Sequence, residues 1–114
     1  MKWDVETSPE FDTWFEALRS GERELVAAGI LHLQQYGPTA ARPWFDTLSG
    51  SAYPNLKELR LPGTNIRILF AFDPRRTAYL MLGGDKTGQW TKWYRTAIPQ
   101  AERIDRRHLS GLKD

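Results

Sequence analysis

The chain has 114 residues, 40% apolar and 26% charged, a size that suits one domain around one core. It has no cysteine, which removes disulfides, thiolate nucleophiles and cysteine-based zinc sites and suits a reducing, cytoplasmic setting. No apolar run approaches the ~20 residues of a membrane span, and "MKWDVETSPEF" holds no secretory h-region.

The net charge of +2 is unevenly spread. Residues 1–56 carry four Lys/Arg against eight Asp/Glu, and residues 57–114 carry twelve against six, so the halves stand at −4 and +6. Such polarity is expected where the second half faces a polyanion, although solvated charge with no partner gives the same count.

In chain order, "KWDVET" alternates Trp3, Val5 and Thr7 against Lys2, Asp4 and Glu6, the pattern of a short strand. Ser8 and Pro9 open a helix as hydroxyl cap and first-turn proline, and Phe11, Trp14, Phe15 and Leu18 follow at helical spacing. After "RSGER", a second helix is expected from about Glu22 to Tyr36, with Leu25, Val26, Gly29, Ile30, Leu33 and Tyr36 on one face. Gly37 caps it and Pro38 lies beyond. "LKELRL", "NIRILFAF" and "TAYLMLGG" read as three strands, joined by turns at "LPGT" and "DPRR", the last strand ending at Gly83 and Gly84. A helix resumes after Pro99. The order β-α-α-β-β-β-α predicts an α+β fold, a small antiparallel sheet packed on an N-terminal helical hairpin.

With a two-residue loop at Pro62-Gly63, paired residues sum to 125. Leu59 then faces Ile66 in the core, while Glu58 faces Arg67 and Arg60 faces Asn65 on the opposite side of the sheet. One interpretation is a sheet with a wet face and a cross-strand ion pair worth under ~1 kcal/mol. The other is a groove in which Arg60 and Arg67 grip phosphate with planar, permanently charged forks. The stretch after the third strand favours the groove. Lys86 stands beside it, Trp90, Trp93 and Tyr94 can stack on bases, and Lys92 and Arg95 can meet phosphates, the mixture that single-stranded nucleic acid demands.

Other chemistries find little support. "GGDKTG" lacks the P-loop spacing, and His32 and His108 have no partner at metal-ligand spacing, so no metal or cofactor is expected. His32 reads as a core-edge residue, and His108 as a surface histidine that can also reach a site.

Two stretches carry a family resemblance. "NLKELRLPGTNIRILFAF" resembles the paired strands of the RelE/ParE toxin superfamily. "AYLMLGGDKTGQWTKWYRTAIPQAE" resembles its following strand, lysine-containing loop and proline-started helix. The chain is most similar to the HigB-like, phage-derived branch of these type II toxin–antitoxin toxins. The resemblance implies a ribosome-dependent endoribonuclease that cuts mRNA by 2′-hydroxyl attack without metal, neutralised by a HigA-like, helix-turn-helix antitoxin through which alone operator DNA is met. The ParE branch instead inhibits DNA gyrase, and a non-enzymatic module meeting an acidic partner is a third reading. On the nuclease reading Arg60, Arg67 and Lys86 supply positive charge at the phosphate. Tyr94 or Trp93 stacks on a base, Tyr94 alternatively donates a proton, and Glu58 orients Arg67. Trp90, Lys92, Trp93 and Arg95 complete the RNA-binding set. The acidic N-terminal half puts the site on the open face of the sheet, away from the two helices.

Overall fold

The computed structural model describes residues 3–39, 45–47, 55–85, 87, 88 and 90–112, with the backbone alone at 45–47 and 90. Strand β1 (Asp4–Thr7) leads into helices α1 (Pro9–Glu16) and α2 (Ser20–Tyr36). Strands β2 (Phe45–Thr47), β3 (Leu56–Arg60), β4 (Ile66–Phe72) and β5 (Thr77–Asp85) follow, and helix α3 (Trp90–Gly111) closes the order. The sheet order is β1-β5-β4-β3-β2. It is mixed, not purely antiparallel as expected, because β1 pairs with β5 in parallel. The short strand β2, which had no alternating pattern to announce it, adds an antiparallel edge on β3.

Ser8 shows why the N-terminal elements dock where they do. Its Oγ accepts the Phe11 backbone N–H at 3.0 Å, capping α1, and donates to the Met81 carbonyl at 2.7 Å. Its own N–H donates to the Leu80 carbonyl at 2.9 Å, so one residue starts the helix and ties it to β5. Along α2 only Val26, Gly29 and Leu33 are buried and Ile30 is half-buried. Leu25 and Tyr36, expected on the same face, are exposed. A 17-residue helix touching a narrow strip of sheet can bury only its central stripe.

The β3–β4 hairpin is offset from the expected register. Leu61 carbonyl accepts the Thr64 N–H at 3.1 Å around Pro62 and Gly63, and Gly63 has φ 81°, the signature of a type II turn. Thr64 Oγ1 then donates to the Leu61 carbonyl and accepts the Ile66 N–H. That bond delays the ladder, so Leu59 pairs with Ile68, Glu58 with Leu69 and Arg60 with Arg67. The shift is two residues, so every side chain keeps its expected face.

Both faces of the sheet are covered. Leu59, Leu61, Ile66, Ile68, Phe70, Ala78 and Leu80 pack with Phe11, Val26 and Leu33 beneath α1 and α2. On the other face Leu56, Leu69, Ala71, Tyr79 and Met81 pack with Ala97, Ala101 and Ile104 of α3. The expected open face is therefore roofed. Helix α3 begins at Trp90, nine residues before the Pro99 predicted to open it, and holds Pro99 in its interior. Pro99 is exposed, as is Arg95, whose carbonyl loses its helical donor, so the break lies on the solvent side of α3.

Gly83 and Gly84 do not end β5; it runs through them to Asp85. A Cβ on Gly83 would lie 2.3 Å from the Trp14 ring, and one on Gly84 would lie 2.3 Å from the Trp93 ring. The two glycines seat two tryptophans, from α1 on one face and from α3 on the other.

Candidate active site

Arg60, Arg67 and Gly84 lie side by side across β3, β4 and β5, about 4.8 Å apart from strand to strand. Both arginines face α3. Two like charges directly opposite in a ladder destabilise it unless a counter-charge intervenes. Glu58, two residues from Arg60 and on the same face, is that counter-charge.

Glu58 Oε1 lies 2.9 Å from Arg60 Nε and 3.9 Å from Arg67 Nε. Its Oε2 accepts the Tyr94 hydroxyl from the first half of α3. The Glu58 side chain is 3% exposed, that of Arg67 10% and that of Arg60 37%. Arg67 Nη1 donates to the carbonyls of Ile66 at 2.9 Å and Thr64 at 3.3 Å. Among the described residues, Arg67 Nε is the one side-chain nitrogen or oxygen wholly shut off from solvent that has no hydrogen bond. A buried donor left in that state is costly and commonly marks a group held ready for a ligand oxygen.

Burial, then the bond to Glu58, raises the Tyr94 hydroxyl well above its ordinary range. At neutral pH it is a proton-bearing donor rather than a base. Just beyond Gly84, Asp85 is held below its usual range by hydrogen bonds from the Thr87 hydroxyl and backbone N–H. The Thr87 hydroxyl also accepts from Asn65 Nδ2, which joins the β3–β4 turn to the end of β5.

The structure thus brings four expected residues together, Glu58, Arg60, Arg67 and Tyr94, though in a different partnership from the expected one. Glu58 pairs most closely with Arg60, its nearer neighbour on β3, and Arg67 stands farther off. Lys86 lies outside the described residues, as does the side chain of Trp90. Trp93 is half-buried against Gly84 and the core beneath α3, so its ring props the helix as much as it presents a face. Lys92 and Arg95 are exposed on the solvent side of α3 and form no hydrogen bond or ion pair among the described residues. The Glu58–Tyr94 bond was missed because it spans 36 residues and depends on where α3 begins. The spacing of Trp93, Ala97, Ala101 and Ile104 carries that helix, and Pro99 masks it.

His108 is not a surface histidine. Its Nε2 lies 2.9 Å from Asp73 Oδ2, and its ring stacks on Tyr79 with centroids 3.6 Å apart. It stands at the far end of β4 from the arginines.

Residues 13–105 match the model of the phage-derived Gp49-like protein family. The chain belongs to that family. It is 48% identical over 103 residues to a Mycobacterium tuberculosis protein bearing the name toxin HigB3, covering 90% of each. It is 41% identical to a second, toxin HigB2, over 97% of this chain and 55% of that one, so it spans about half the length of that relative. Among solved structures, a mutant of the Escherichia coli toxin RelE in the free state superposes with a TM-score of 0.63 at 13% identity, over 87% of this chain and 97% of that one. The M. tuberculosis RelBE2 toxin–antitoxin complex gives 0.60 at 14%, over 75% and 99%. The sequence matches place the chain in the Gp49-like family with relatives named toxin HigB, and the solved structures show that it shares the fold of RelE.

Proposed function

We propose that the chain is the toxin of a type II toxin–antitoxin module and that it cleaves mRNA on the ribosome. The supporting observation is the Arg60/Arg67 pair, placed side by side and gathered around Glu58 next to the Tyr94 hydroxyl. On this reading the RNA 2′-hydroxyl gives its proton to water and its oxygen attacks the adjacent phosphorus. The bond to the 5′-oxygen breaks, that oxygen takes a proton from Tyr94, which recovers one from water, and a 2′,3′-cyclic phosphate and a 5′-hydroxyl result. Arg60 and the unbonded Nε of Arg67 take the non-bridging oxygens, whose charge grows in the pentavalent transition state. Tyr94 offers its proton to the departing oxygen as the substrate displaces it from Glu58. Glu58 holds the guanidinium groups in place before substrate arrives, which is preorganisation rather than base catalysis. Lys86, Lys92, Arg95 and the aromatic rings of Trp90 and Trp93 extend the surface for RNA. An antitoxin of the HigA-like kind then silences the chain by covering this groove or wrapping the molecule.

A second reading has one specific observation behind it. Leu25 and Tyr36 stand exposed on one side of α2, apolar surface that suits docking on a protein such as gyrase. Induced expression separates the two. The nuclease reading expects growth arrest with loss of translated mRNA and normal plasmid supercoiling. Arrest with an intact mRNA pool and relaxed plasmids would replace it with the gyrase reading.

A further inference from the structure

Six residues along β4 from Arg67, roughly 20 Å away, the same face of the sheet ends in a second polar group. A cleft of about 290 Å³ opens there, walled by Ala71, Phe72, Pro74 and Leu109, with Asp73 and Asp105 among its lining. The volume lies just below that of sites for drug-sized molecules, room for one side chain or a small ligand.

The two carboxylates differ in what they meet. Asp73 accepts from Arg75 Nη2 at 2.7 Å, from the Arg75 and Thr77 backbone N–H groups, and from His108. Its lone pairs and its charge are answered by the turn and by His108 of α3. Asp105 projects from α3 and is 7% exposed, yet it forms no hydrogen bond or ion pair among the described residues. Burial raises its proton affinity above the ordinary carboxylate value, with Asp73 adding to the rise and His108 opposing it. A nearly enclosed carboxylate without a donor is costly to maintain. It lines the cleft together with Asn55 and Asp73, where the hydrocarbon of Ala71, Phe72, Pro74 and Leu109 matches a methylene stem.

We infer that the cleft between α3 and the β4–β5 turn is a binding site for an alkylammonium or alkylguanidinium group, received by Asp105. The charged head meets the unmatched carboxylate and the stem lies along Leu109 and Pro74. The site is independent of the nuclease reading and uses none of its residues. The same chemistry comes from two sources, a lysine or arginine side chain of a bound polypeptide or a free polyamine.

The test is an NMR titration of the ¹⁵N-labelled full chain. The probes are N-acetyl-arginine methylamide, N-acetyl-lysine methylamide, agmatine and 1,5-diaminopentane, with glutarate as the anionic control. Saturable shifts are expected at the amides of Asp73, Asp105 and Leu109 with the cations and none with glutarate, at dissociation constants near roughly 1 mM. Asp105→Asn should weaken binding about tenfold, the loss of one charge-assisted contact. Leu109→Lys, at the exposed mouth, should abolish it by filling the site from within, and this variant stands if Asp105→Asn does not fold. Tighter binding of the blocked residues assigns the site to a polypeptide, and tighter binding of the diamines to a polyamine. Absence of saturable shifts at roughly tenfold higher probe concentration, or unchanged affinity in both variants, overturns the site.

Discussion

The two ends of the α3-covered face each bury a carboxylate, and they resolve its charge in opposite ways. At the β3–β4 turn end, Glu58 is matched by Arg60, Arg67 and the Tyr94 hydroxyl. At the β4–β5 turn end, Asp73 is matched by Arg75 and His108, while Asp105 on the same helix has no hydrogen-bond donor among the described residues. One end gathers two arginines around Glu58, and the other leaves Asp105 with no ion pair among the described residues. The same roof therefore shelters a candidate phosphate site and a candidate cation site. Burial under a helix does not decide what a polar group is for; the count of its partners does.

Substitutions sharpen the contrast. The largest effect is expected at Glu58. Glu58→Ala leaves Arg67 buried without its counter-charge, and urea denaturation should show a loss of about 3–5 kcal/mol. Stability within about 1 kcal/mol of the parent would mean that the arginines do not depend on Glu58.

Arg60 is more exposed than Arg67 and is the better probe of function. Arg60→Ala should cost under about 1 kcal/mol of stability and lower the cleavage rate about 10²–10³-fold, as loss of a transition-state donor does. Arg67→Lys, which keeps the charge and loses the fork, should fall in the same direction.

Gly84→Ala should destabilise by about 1–3 kcal/mol, because its Cβ meets the Trp93 ring. It should also lower activity, since Tyr94 follows Trp93 on α3. Gly83→Ala, against Trp14 on the other face, should cost similar stability and leave activity near that of the parent.

The smallest effects distinguish the two aspartates by sign. The folded state raises the Asp105 value above the ordinary 3.8, so the folded protein holds the extra proton and loses stability as pH rises through that window. Asp105→Asn should therefore be more stable than the parent at pH 7, the gain vanishing below about pH 3.8. For Asp73, burial alone would raise the value, but the hydrogen bonds of Arg75 and His108 prevail and lower it. Its contribution is present above 3.8 and is lost as pH falls through the folded value, so Asp73→Asn should be less stable at pH 7. Urea titrations at pH 7 and pH 3 measure both.

Much of this was legible in the residues. Ser8-Pro9 announced α1 because a cap and a first-turn proline are local devices. The grouping of Glu58, Arg60 and Arg67 survived a two-residue error in register because strand side chains alternate with period two. What was not legible depended on distant partners. Gly83-Gly84 looked like a strand end, and only Trp14 and Trp93 show that the strand continues and why it needs glycine. Pro99 looked like a helix start because its exposed position, which lets the helix tolerate it, belongs to the tertiary fold. His108 looked superficial because Asp73 and Tyr79 lie 35 and 29 positions away.

The direct measurement is cleavage of an mRNA on purified, programmed ribosomes by the parent chain, Arg60→Ala and the Arg19→Glu control on the opposite side of the sheet. The account predicts cut mRNA with a 2′,3′-cyclic phosphate end for the parent and the control, and a rate at least about 10²-fold lower for Arg60→Ala. Equal cleavage by Arg60→Ala, or abolition by Arg19→Glu, would contradict it.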